Sequence, residues 1–443
     1  MKTALRWISL ASLSLALLGG APVARAQATA PQDQQPQQAK PAYTLAEYNA
    51  FQAAHNEQNP QTKIKALDDF AAKYPASALL QYVYFDYYHA YYALKNYPQT
   101  IEYADKLLAM GDKVDFGSRL DALLARAEAF FAGSADKAFQ TPEQLTKARD
   151  AAAQGLKMLA SWQKPDKWSD DQFAQQKKSI GIMFNSVAGI TESGLKDYQA
   201  AAESYKAALA IDPNDAVTHY RLGAAYLQST PPDALDGYWE LARAIALKVP
   251  GDAQVRAYLR SQLLHYQQLS CDKLVDDEMN QVLALAASGG DRPASFTIPS
   301  ADDLKKAQED TADFMPWLEE GGEHGKVMWM ATCGLEYPDV AVRVMDIVPG
   351  PGDGVTLKVF RGATEDEMKA ATAPNMEVHV VGQPEAKRIQ KDDYVRFTGT
   401  LTGYAQSPFL LTWDNAKVNP EDVAPEKPAP GAKRPPRALP PKK

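Results

Sequence analysis

Six histidines, a scatter of acidic pairs and two cysteines are the side chains here that could do chemistry. The histidines stand at positions 55, 89, 219, 265, 324 and 379, and no two have the spacing of paired metal ligands. The densest acid–base group is "LEEGGEHGKVMW", residues 318–329, which brings Glu319, Glu323 and His324 close together. Its glycines would let the backbone approach a ligand, but a polar loop between two domains is the simpler reading. Adjacent acids such as Asp68–Asp69 and Asp276–Asp277 project to different helix faces and read as solvated surface. The chain contains no glycine-rich phosphate loop, no HExxH and no GxSxG, the motifs that mark common catalytic sites. The expectation is a non-enzyme with no catalytic residue, no metal and no cofactor.

Two further groups stand out. Cys271 in "LSCDK" and Cys333 in "ATCGL" lack metal-ligand spacing. One disulfide and two separate buried thiols both fit, because a sequence does not report Cα separation. Tyr82, Phe85, His89 and Tyr92 are spaced 3-4-3 and so share one face of a helix. That face either packs on a neighbouring helix or serves as a contact surface, where tyrosine and phenylalanine are frequent anchors.

The elements that must hold these residues are framed by unusual ends. The chain has 443 residues and a net charge of −8. Lys2 and Arg6 precede the apolar run "WISLASLSLALLGGA", and "ARA" ends at Ala26. This is the pattern of a secretory signal over 1–26, and the run is short for a membrane span. Removing that segment leaves 44 basic and 55 acidic residues, a net charge of −11, which argues against nucleic-acid binding. No other apolar run reaches transmembrane length, so no membrane-spanning segment is expected in the mature chain. Residues 27–42 are rich in Gln and Pro and read as a disordered linker. Residues 423–443 hold seven prolines, six basic residues and one acidic one. They read as a disordered basic tail, solvated or in contact with the cell envelope or cell wall.

From 43 to 288 apolar residues recur at helical spacing, broken at "KYPAS", "IDPND" and "KVPGD". Residues 289–334 form a connecting segment with one charged helix near Ala301–Phe314. From 335 to 422 the pattern alternates apolar and polar residues in five runs, "DVAVRVMDIV", "GVTLKVF", "NMEVHVVG", "DYVRFTGTLTGY" and "PFLLTWDNAKV". That predicts a five-stranded antiparallel β module.

The stretch "DYQAAAESYKAALAIDPNDA" sets a register. Gly189, Ala201, Tyr205, Ala208 and Pro213 form one unit, and Leu222, Gly223 and Tyr226 open the next. Gly189 and Gly223 are 34 residues apart. On these residues the chain resembles the tetratricopeptide repeat (TPR) family of helix–turn–helix units, most clearly over 182–215 and 216–249. The small residues allow close helix approach, Tyr205 fills the space between hairpins, and Pro213 follows the end of a helix.

The resemblance implies a multidomain α + β protein, a TPR-like solenoid followed by a small OB-like barrel. It also implies a concave surface that holds a peptide or helix of another protein. By register the groove positions would be Tyr82, Phe85, His89 and Tyr92, with Tyr220, Leu227 and Gln228 in the later unit. The expected role is an exported scaffold, periplasmic or secreted, whose partner is another protein. The alternative is a carbohydrate- or cell-wall-binding protein that uses the β module, with Trp413, Tyr404 and Phe409 as stacking rings. Residues 335–420 carry 9 basic and 12 acidic side chains, which does not favour nucleic acid there.

Overall fold

The computed structural model of the protein describes residues 42–309, 314–350 and 354–425. The expected signal segment, most of the Gln/Pro linker and the tail from residue 426 onward lie outside these residues.

Twelve helices pair into six successive hairpins. They are α1 (Leu45–His55) with α2 (Pro60–Lys73), α3 (Leu80–Ala93) with α4 (Tyr97–Leu108), and α5 (Phe116–Gly133) with α6 (Pro142–Ser161). Then come α7 (Asp170–Gly194) with α8 (Tyr198–Ile211), α9 (Ala216–Gln228) with α10 (Ala234–Ala246), and α11 (Asp252–Gln267) with α12 (Asp272–Ala286). Side-chain caps start most of them: Asp197 accepts from the backbone N–H of Ala200 at 3.2 Å, and Asn59, Asn96, Asp115 and Thr141 cap in the same way. The turns α3–α4 and α7–α8 are one device used twice. Each reads Leu-Lys-Asn/Asp-Tyr, with Lys95 and Lys196 in the left-handed region (φ 59° and 65°) and Asn96 or Asp197 capping.

Packing between helices is set by rings and chains lying on glycines. A Cβ at Gly189 would come within 2.5 Å of the Tyr205 ring, and one at Gly155 would enter the Phe184 ring. At Gly223 the neighbour is backbone: a Cβ would stand 2.9 Å from the carbonyl oxygen of Gly237. Ala201, Ala208, Tyr205 and Leu222 are at most 2% exposed, while Tyr226 is half-buried and Pro213 lies at the surface. The helix carrying Gly189 is longer than the 34-residue unit implies. α7 begins at Asp170, and its first turns pack Phe173 against Trp162, ring centroids 4.9 Å apart.

The segment after α12 holds three helices rather than one: α13 (Ala301–Glu309), α14 (Phe314–Glu320) and α15 (Gly322–Thr332). "LEEGGEHGKVMW" is therefore a helical corner and not an open loop. Its glycines serve that corner. Gly321 and Gly322 take φ of 74° and 60°, and a Cβ on Gly325 would lie 2.7 Å from the Trp317 carbonyl oxygen.

Five strands follow: β1 (Glu336–Pro349), β2 (Val355–Phe360), β3 (Met376–Val380), β4 (Tyr394–Gln406) and β5 (Phe409–Val418), with a short helix α16 (Glu365–Ala370) between β2 and β3. They close in the order β1-β2-β3-β5-β4, an OB-like arrangement. The expectation of an antiparallel module needs one correction, because β3 pairs with β5 in parallel. Directions cannot alternate all the way round an odd number of strands, so closure of five requires one such pair. Leu357, Val359, Val378, Phe397, Leu401, Leu411 and Trp413 fill the barrel, each at most 1% exposed.

α15 belongs to both halves. Met328 packs in the barrel core, whereas Met330 and Ala331 pack with the last hairpins. Cys271 and Cys333 are bonded, with Cα atoms 5.8 Å apart, and Lys326 pairs with the buried Glu278 at 3.1 Å.

A substitution at the tightest backbone contact tests the packing scheme. Gly223→Ala should lower stability by about 1–2 kcal/mol, read as a fall in the denaturant midpoint. The overpacking cost outweighs the better helix propensity of alanine, because backbone on the facing helix cannot swing aside. An unchanged or raised midpoint would contradict it.

Candidate functional site

Helix α3, "LQYVYFDYYHAYYA", carries more rings than a core can take. Its inward side is used for packing. The Tyr87 ring stacks on Tyr103 of α4 with centroids 4.1 Å apart, and its hydroxyl donates to Asp68 of α2 at 2.6 Å. Tyr88 is fully buried and donates to Asp121 of α5 at 2.6 Å. The stripe Tyr82, Phe85, His89 and Tyr92 remains. Tyr82 is 37% exposed beside Phe51 of α1. Phe85 lies against the His89 ring at 4.5 Å, and His89 is exposed. Tyr92 is half-buried against Tyr97.

This stripe runs beside carboxylates of α1 to α5 that differ in how they are compensated. Asp86 is buried and held by His55 at 2.9 Å, with Lys63 at 4.0 Å. That bond raises the pKa of the His55 imidazole, against the effect of its own desolvation. Asp121 accepts from Tyr88 and meets His89 Nε2 at 3.0 Å. Glu128, two turns further along α5, has no ion pair among the described residues. Burial pushes its carboxyl up to about 7, and the charge of Asp121 adds to this against the opposing pull of His89. The same surroundings raise the Tyr92 phenol to about 12, through burial first and the Glu128 charge second. One turn beyond Glu128 the Phe131 ring is 36% exposed, with the Arg221 guanidinium 5.3 Å from its centroid.

The structure does not bring all seven expected groove positions together. The four on α3 form one stripe. On α9, Tyr220 and Leu227 pack against the C-terminal core, and Gln228 is exposed with its amide donating to the Ala224 carbonyl at 3.1 Å. Leu227 covers Gly237, where an added Cβ would meet it at 2.6 Å. Its side chain thus fills the α9–α10 contact rather than a groove. Asp121, Glu128 and Phe131 were missed in the sequence. Their signal is "LDALLARAEAFF", a nearly apolar helix that keeps two acids seven residues apart.

The other groups considered are engaged in structure. Trp413 is 1% exposed in the barrel core. Tyr404 donates to the Leu318 carbonyl at 2.6 Å, between Trp329 and Phe409. These rings dock α14 and α15 on the barrel. His324 stacks on Trp317 at 5.2 Å, and Glu319 and Glu323 point to solvent. Among the described residues no group of three His, Cys, Asp or Glu is placed to hold a metal, and no helix is long and apolar enough to cross a membrane.

Hairpins stacked in register, an aromatic stripe on one A helix and a closing barrel define a solenoid-plus-barrel class of protein. Residues 195–229 match the family model described as TPR repeat, so the chain carries a tetratricopeptide repeat within a TPR-like solenoid. A thermophilic TPR protein of Thermus thermophilus is 16% identical, with 49% of this chain and 99% of that one covered and a TM-score of 0.25. The C-terminal part of a TPR repeat-containing protein from Cytophaga hutchinsonii is 15% identical over 55% of this chain and 96% of that one, with a TM-score of 0.25. The TPR2AB domain of yeast Sti1, in a complex with pHSP90, is 13% identical over 54% and 95%, with a TM-score of 0.19. Likeness at this level carries nothing about function. No curated protein matches the chain.

Glu128 leaves a measurable trace. Its folded pKa lies above the ordinary glutamate value, so the folded state holds the extra proton and stability falls as pH rises from about 4.5 through 7. The loss should be about 2–3 kcal/mol between pH 4.5 and 8. Urea midpoints against pH should show Glu128→Gln gaining on the parent protein by that amount at pH 8. Parallel curves would mean that Glu128 is freely solvated.

Proposed function

We propose that the protein is an exported, non-enzymatic scaffold that holds a peptide segment of another protein along α3 and α5. One observation carries this reading: on the face of α3 away from its buried Tyr87 and Tyr88, the stripe of Tyr82, Phe85, His89 and Tyr92 keeps Tyr82 and His89 exposed, near a Glu128 with no ion pair among the described residues. Rings of this kind give large contact area for little lost side-chain freedom, and a carboxylate adds selectivity for charge. The tetratricopeptide repeat supports the same role. For export the support is Lys2 and Arg6, the apolar run that follows them, and Ala26. The Cys271–Cys333 bond is in keeping with an oxidising compartment such as a periplasm.

Peptides selected from a random display library on the full chain provide the test. Tyr82→Ala with Tyr92→Ala should weaken the selected peptides at least tenfold, as loss of interface anchors does, while Phe409→Ala in the barrel leaves them unchanged. The reverse sensitivity, or retention of glycans and no peptide, would overturn the proposal in favour of the barrel as the binding element.

A further inference from the structure

One part of the solenoid stands clear of its core. Gly181 marks the level at which the neighbouring helices stop. A Cβ there would lie 3.1 Å from Ile211, the last residue of α8, and 3.5 Å from Leu159, near the end of α6. Residues 170–180 of α7 extend beyond that level, about 16 Å of helix. The connector 162–169, "WQKPDKWS", folds beside this extension. From Ser161 to Ser179 no residue is buried, yet the arm carries three large rings. Trp162 meets Trp168 and Phe173 with ring centroids 5.7 and 4.9 Å away. Trp162 also rests on the core of α5 to α7. Trp168 and Phe173 stand outside the apolar cores of the described residues. Neither indole N–H of the pair Trp162 and Trp168 donates a hydrogen bond among those residues.

We propose that this arm, residues 157–178, docks on the surface of a phospholipid membrane, with Trp168 and Phe173 entering the headgroup layer and the lysines meeting lipid phosphates. The inference is independent of the peptide reading above. A tryptophan has an apolar body and one polar edge, and the membrane interface is a layer that accommodates both. An indole whose N–H has no partner in the fold is suited to that layer. Charge points the same way. Lys157, Lys164, Lys167, Lys177 and Lys178 surround the rings, against Asp166, Asp170 and Asp171. The arm is therefore +2 in a chain of −8, which leaves −10 on the other 421 residues. An anionic lipid layer attracts the arm and repels much of the body behind it, so the arm would lead the approach. Lysine stems are long enough to hold their ammonium groups at the phosphates while the rings go deeper. Lys177 already lies along the Phe173 ring, with Nζ 5.7 Å from its centroid. No described helix is long and apolar enough to cross a membrane, so the contact is one of surface attachment.

The chain from Gln27 onward keeps every described residue and lacks the apolar leader, whose own affinity for lipid would confuse the measurement. Flotation with vesicles of equal parts phosphatidylglycerol and phosphatidylcholine should show saturable binding that weakens as salt is added. Hydrogen exchange read by mass spectrometry should slow across 162–178 when vesicles are present. Trp168→Ala with Phe173→Ala should weaken vesicle binding about tenfold or more, through the apolar area withdrawn from the interface. Lys167→Glu with Lys178→Glu should weaken it on the order of tenfold as well. Both lysines are exposed, so this pair decides the matter if the ring substitutions lower the urea midpoint. Absence of vesicle binding would overturn the proposal. So would binding that folded variants leave unchanged, the result if the basic tail alone attaches the chain. Exchange across 162–178 that vesicles do not slow has the same consequence, and assigns the arm to a protein partner instead.

Discussion

The stack depends on helices approaching closely enough for a ring to lie flat on a glycine. Phe184 on Gly155 and Tyr205 on Gly189 are successive uses of this contact. The ring is large enough to fill the gap between hairpins, and the missing Cβ is what makes room for it. Gly223 and Gly237 take the same logic further, with backbone facing backbone. Because each hairpin buries its apolar side only against its neighbours, these contacts set the rotation from one unit to the next. They thereby fix which residues of each A helix are left facing outward.

The exposed side of α3 follows from that rotation. α3 carries rings on several faces, and packing on α4 and α5 removes Tyr87 and Tyr88 from solvent. Tyr84 and Tyr91 lie half-buried against Tyr103 of α4, and the C-terminal part of the remaining stripe runs next to α5, where Asp121 is satisfied by Tyr88 and His89. Glu128 is held near the same low-dielectric edge with no ion pair among the described residues, and it is this combination that distinguishes the region from ordinary surface.

The barrel is tied to the solenoid through one helix. α15 contributes Met328 to one core and Met330 with Ala331 to the other. The disulfide from Cys333 to Cys271 and the pair between Lys326 and Glu278 brace the same junction. Tyr404 and Trp329 serve as docking rings between barrel and helices. An aromatic at a barrel surface is thus spent on the joint, which explains why its residue type alone reads equally well as a stacking platform.

Periodicity alone determined much of this protein. The 3.6-residue pattern and the 34-residue recurrence of Gly189 and Gly223 specified a helical repeat, because each such residue has only one place in a hairpin where its size is required. Period-2 alternation specified five strands in the same way. Pairing depends on contacts distant in sequence, and these only the tertiary structure decided. The parallel β3–β5 pair follows from closing an odd number of strands. The three helices of 301–332 take their order from two cores they share. The division of the α3 rings into buried and exposed depends on α5, as does the isolation of Glu128. Leu227 turned inward for a similar reason, the absence of a side chain on Gly237. A sequence states which residues are large, small or charged, but whether a charge has a partner is a property of the assembled neighbours.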